Sequence, residues 1–118
     1  MEVLFETRRL STDLSSHTNR QRRYGDGGAK KIALRLQQMI AAPTLQDLRH
    51  MPGHYHELHE DVMGRLAVDV HQTYRVVFRP TQTPPPTRGD GGLDWSQVAS
   101  ITITSIRHYV EKNEGRTR

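Results

Sequence analysis

Four histidines, His50, His54, His56 and His59, fall just ahead of the densest strand signal in the chain. Imidazole titrates near neutral pH, so histidines can take a proton from one group and return it to another. On a strand, His54 and His56 share a face, and His59 could fold back toward them. With Glu57, Glu60 or Asp61 nearby, that set has the donor types of a zinc site. The spacing matches no strong zinc pattern, however, and no metal or other cofactor is expected. Arg75 follows in Tyr74-Arg75-Val76-Val77-Phe78. Its planar, permanently charged guanidinium suits phosphate oxygens. The competing reading pairs it with a carboxylate on the same sheet. Together these residue types would suit a face that cleaves or grips RNA.

The elements that must position them are legible. Leu66, Val68 and Val70 alternate with Ala67, Asp69 and His71, and the pattern resumes at Tyr74 after a short polar gap. Two period-two runs of this kind read as a hairpin. Pro80 stops the second strand. Residues 81–94, TQTPPPTRGDGGLD, form a Pro- and Gly-rich loop with little capacity to pack, with a turn at Asp90-Gly91-Gly92. Trp95 should anchor its end. Alternation returns from Val98 to Val110, with Ile101, Ile103 and Ser105 on one face and Thr102, Thr104 and Ile106 on the other. This is a last, central strand, and Glu111 to Arg118 reads as a frayed tail.

Upstream, Glu2 to Glu6 reads as a short first strand. Leu10 and Leu14 give Thr7 to Arg23 a narrow helical stripe. Tyr24 to Gly28 is a break in which Asp26 can cap the next helix. Ala29, Ile32, Ala33, Leu36, Met39 and Ile40 then form the strongest helical stripe, which Pro43 ends. Thr44 caps one further turn with Leu45 and Leu48 facing inward. Met51-Pro52-Gly53 is a turn, and a strand starts near Tyr55. The expected architecture is α+β: two N-terminal helices on one face of a mostly antiparallel four- to five-stranded sheet, one domain over 1–118.

The chain has 118 residues and a formal charge of +4. A sequence pI near 9.9 points to a polyanion such as RNA or the ribosome. Arg8, Arg9, Arg20, Arg22, Arg23, Lys30, Lys31 and Arg35, with His56, are the expected RNA footing; phosphate contacts of this kind give affinity and salt dependence, not sequence choice. There is no cysteine, which fits a cytoplasmic protein, and neither a signal peptide nor a membrane span is read from the sequence. The mean hydropathy of −0.74 implies a small core that leaves apolar surface for a partner.

The string HELHEDVMGRLAVDVHQTYRVVF resembles the HigB branch of the RelE/ParE toxin superfamily. There a His-x-Leu-Lys-Gly-Asp segment precedes a Gly, a strand and a Tyr-Arg-x-x-Phe strand. YGDGGAKKIALRLQQMIAAPTLQDL is similar to the second helix of that branch and its exit. LDWSQVASITITSI resembles the last strand of members with a Pro-rich insert. The likeness covers nearly the whole chain and implies a RelE-like fold. It implies a toxin that cleaves mRNA on the translating ribosome and is restrained by an antitoxin, often a helix-turn-helix protein.

The active-site motif is only partly kept. Tyr74 and Arg75 stand where the family has Tyr-Arg. The family's lysine position is His59, and its Asp-Tyr-His falls on His108, Tyr109 and Val110. The resemblance therefore implies a metal-free site in which Arg75 holds the phosphate, His59 and His108 serve as base and acid, and Tyr109 stacks or donates to phosphate. The altered motif also keeps alternatives open. One is a toxin that binds a protein target, as the ParE branch binds gyrase. Another is a decayed toxin retained for its antitoxin complex.

Overall fold

In the computed structural model, residues 1–59, 64–71 and 74–108 are described. Strand β1 (Glu2–Phe5) leads into helix α1 (Arg8–Ser15) and helix α2 (His17–Ala41). A 3-10 turn (Leu45–Leu48) precedes β2 (His56–Glu57), β3 (Leu66–His71) and β4 (Tyr74–Pro80). A second 3-10 turn (Trp95–Gln97) leads into β5 (Ser100–His108). The sheet order is β1-β5-β4-β3-β2. The β2–β3, β3–β4 and β4–β5 pairs are antiparallel, while β1 runs parallel to β5, so the sheet is mixed. β4, not the last strand, lies at the centre.

The helix boundaries have local causes. The Thr7 hydroxyl accepts from the Leu10 amide and the Ser16 hydroxyl from the Asn19 amide, so each helix starts on a side-chain cap. The expected break at Tyr24 to Gly28 is a kink within α2. Gly25 adopts φ +77°, a conformation glycine reaches without a Cβ penalty, and the helix resumes beyond it. Asp26 accepts from the Gln21 side chain. The Thr44 amide and hydroxyl both donate to the Asp47 carboxylate at 2.9 Å, fixing the turn that buries Leu45 and Leu48.

The core lies between the helices and one face of the sheet. Leu66, Val68 and Val70 of β3, Val76 and Phe78 of β4, and Ile101 and Ile103 of β5 meet Leu14, Ile32 and Met39 from the helices. The α2 stripe is narrower than its apolar residues suggest: Ile40 is 61% exposed. Arg35, expected on the cationic surface, is only 6% exposed, and its Nε donates to the Asp69 carbonyl at 2.9 Å. It is an internal strut and leaves the RNA footing.

The alternation expected for β5 also needs correction. The β4–β5 register shifts between Val77 and Phe78: Val77 pairs with Ser105 but Phe78 with Ile103. Thr104 is the extra residue. Beyond it the faces exchange, so Ile106 and His108 join Ile101 and Ile103 on the helix side, while Ser105 and Arg107 turn away. In the 81–94 loop, the Arg88 amide donates to the Gly92 carbonyl and Gly91 takes φ +93°, closing the expected turn. Trp95 is 3% exposed and anchors the loop's end. No helix among the described residues is long and apolar enough to cross a membrane.

Candidate functional site

The face of the sheet turned away from the helices carries Asp69, Arg75, Ser105 and Arg107 together with the buried Ala67 and Val77. Cross-strand partners share a face, so the register identifies its rows. Asp69 pairs with Arg75, and Arg75 with Arg107. His54, just before β2, extends this row: its Nδ1 lies 3.9 Å from an Asp69 carboxylate oxygen. The next row runs from His56 through Ala67 and Val77 to Ser105. The helix-free face thus holds an imidazole, a carboxylate and two guanidiniums in sequence across the sheet, with a second imidazole alongside.

The row is rigidly placed at Asp69. Its amide donates to the Gly53 carbonyl at 2.7 Å, and its carbonyl receives Arg35 Nε. Gly53 itself sits at φ +114° against the Arg35 guanidinium and Val68, a close approach that leaves no room for a Cβ. His54 follows at φ 63° and stacks on His56, with ring centroids 4.2 Å apart. His56 Nδ1 lies 2.8 Å from the His54 carbonyl. A carbonyl oxygen only accepts, so Nδ1 carries the proton. Nε2 of the neutral ring then has the lone pair a general base requires.

Arg75 and Arg107 stand directly opposite each other on adjacent strands, which sets two like charges on one face of the sheet. Asp69 is the cross-strand partner of Arg75 on its other side. What the arrangement can do is receive an anion: two adjacent guanidiniums match the oxygens of a phosphodiester and the extra charge of its phosphorane.

The residues expected to form one catalytic centre are not brought together. Arg75 lies on the helix-free face. His108 pairs with Tyr74 and lies on the helix side, where its ring meets Tyr74 edge-on at 4.8 Å. Tyr74 in turn meets Tyr24 of α2 at 5.7 Å. Burial pushes the Tyr24 phenol above its ordinary value, against the hydrogen bond and charge of Arg23. His59 is at the far edge of the sheet, lining a cleft of about 190 Å³ with Arg49, Tyr55, His56, Glu57 and Trp95. Tyr109 lies outside the described residues. His56, expected in the RNA footing and weighed as a metal donor, belongs to both the cleft and the helix-free face.

The basic footing is divided as well. Arg8, Arg9, Arg22, Arg23, Lys30 and Lys31 are exposed on the helices. Arg9 and Arg23 flank Asp13 at 4.0 and 3.9 Å, pairs worth little on a surface. Arg20 donates to the Leu14 carbonyl at 2.7 Å and so joins α2 to the end of α1. Among the described residues no three His, Asp or Glu side chains are grouped to hold a metal ion.

Asp69 and Arg107 escaped the sequence reading for different reasons. Asp69 was visible in the alternation, opposite three core aliphatics, but drew no role. Arg107 was hidden by the bulge that shifts β5. No family model, curated protein or solved structure matches this chain.

Proposed function

We propose that the protein is an RNA-directed toxin of the RelE/HigB type: a metal-free endoribonuclease of ribosome-bound mRNA, acting in the cytoplasm and restrained by a helix-turn-helix antitoxin. The observation that carries the RNA reading is the Arg75–Arg107 pair on the helix-free face, beside the His54–Asp69 pair and the imidazole of His56. In this reading the two guanidiniums bind the scissile phosphate and neutralise the phosphorane. His56 Nε2 takes the proton of the attacking 2′-hydroxyl, and His54, next to the Asp69 carboxylate, returns one to the leaving 5′-oxygen. The exposed arginines and lysines of α1 and α2 add a separate cationic surface suited to ribosomal RNA.

A second reading follows from the separation of His59, Arg75 and His108. A chain whose family-like residues do not meet suits a toxin that acts by binding a protein target, or one kept for its antitoxin complex. Expression in cells with mapping of RNA ends separates the two. Growth arrest with new mRNA ends, both lost in His56→Ala, supports the nuclease. Arrest with intact mRNA removes it and leaves the binding toxin; no arrest leaves the antitoxin-complex reading.

A further inference from the structure

We propose that the cleft at the β2 edge is a guanine-selective nucleobase subsite, an inference that rests on the RNA-directed reading of the neighbouring face. The cleft is lined by Arg49, Tyr55, His56, Glu57, His59 and Trp95. At about 190 Å³ it is smaller than the pockets of roughly 300 Å³ and above that hold drug-sized ligands. It therefore suits a single planar ring system.

Its polar groups are arranged by the fold. The Trp95 indole N–H donates to Glu57 Oε2 at 2.9 Å, which fixes the carboxylate and leaves Oε1 as an acceptor. The Arg49 guanidinium lies over the Trp95 ring, 4.0 Å from its centroid, an attraction that holds a fork of donors at the cleft. One carboxylate acceptor and one arginine fork match guanine. The N1–H and N2–H groups of guanine donate to a carboxylate, and its O6 and N7 accept from arginine. Adenine offers a lone pair at N1, which would face the Glu57 oxygens. Cytosine and uracil lack the second ring that reaches both groups. His59, in the lining, supplies an aromatic ring of the kind on which RNA bases stack. His56 lines the cleft and also stands on the helix-free face, so the cleft and that face adjoin at its ring.

The single tryptophan of the chain lines this cleft, so its fluorescence reads occupancy without reference to catalysis. Titration of the purified full chain with GMP, AMP and CMP should show GMP perturbing Trp95 with an affinity roughly tenfold or more above AMP. Glu57→Gln should bring GMP down to the AMP level with an unchanged melting temperature. A carboxamide has one acceptor oxygen for two donors, the indole N–H and the base. Equal response to GMP and AMP, no response to any nucleotide, or a GMP preference that survives Glu57→Gln would overturn the assignment. The comparison between nucleotides stands even if the variant folds poorly. GMP selectivity without RNA cleavage would sink the nuclease and spare the subsite; cleavage without selectivity would do the reverse.

Discussion

Arg75 and His108 stand on adjacent antiparallel strands and face opposite sides of the sheet. Arg75 is in register with Arg107, His108 with Tyr74. A sheet is one backbone thick, and β4 is its central strand, so no side-chain rotation brings the two groups to one phosphate. Any phosphodiester chemistry centred on Arg75 must draw its imidazoles from the same face, and among the described residues His54 and His56 stand there.

Each arginine of the row should contribute one phosphate contact. Arg75→Ala and Arg107→Ala should each weaken binding of single-stranded RNA and reduce the slope of log K against log salt by about 0.7. Fluorescence anisotropy over a salt series measures this. An unchanged slope in both variants would place the RNA elsewhere, with the α1–α2 cations the next surface to test.

The support beneath Asp69 depends on a glycine. A Cβ on Gly53 would lie 2.7 Å from Arg35 Nε and 2.8 Å from a Val68 methyl, at φ +114°. Gly53→Ala should cost about 3 kcal/mol or more, combining backbone strain with overpacking. Gly91→Ala is the control, since φ +93° there comes with open space. It should cost only about 1–2 kcal/mol. Urea denaturation of the two variants checks the difference, and equal losses would mean that the space around Gly53 is not limiting.

The buried phenol of Tyr55 gives the fold an alkaline limit. Burial raises its pKa above the ordinary 10.0, with Arg35 opposing. The folded state therefore keeps a proton that the unfolded chain releases as pH climbs through 10. This stability is present in full below pH 10 and is lost as pH rises above it. Tyr55→Phe removes the hydroxyl that donates to Gln38 Oε1 at 2.7 Å. It should cost about 1 kcal/mol at neutral pH and make the alkaline decline shallower. Melting temperatures between pH 7 and about 11 test both effects. An unaltered decline would exclude Tyr55 as its source.

Period-two alternation was enough to read β3 and β4, because the core takes every second residue of each strand. The α2 stripe and the Leu45–Leu48 turn were legible for the same reason. Three things were not. A parallel partner for β5 leaves no mark in the alternation of β1, whose four residues look alike in either direction. The bulge at Thr104 exchanges the faces of β5, and nothing in ITITSIRH announces where the extra residue falls. The burial of Arg35 depends on the Gly53 and Asp69 backbones, which are distant in sequence; a lysine- and arginine-rich segment gives no hint that one cation points inward. The candidate site suffered most from the bulge, since Arg107 and His108 both changed faces with it.

The most direct test compares two variants in one assay: ribosomes programmed with a defined mRNA, the purified protein, and mapping of the RNA ends produced. The double variant Arg75→Ala/Arg107→Ala should abolish cleavage while retaining its fold by circular dichroism. His108→Ala, altered only on the helix side, should cut at the same positions as the parent chain. Cleavage that survives in the double variant, or that disappears with His108→Ala, would contradict a phosphodiester site on the helix-free face.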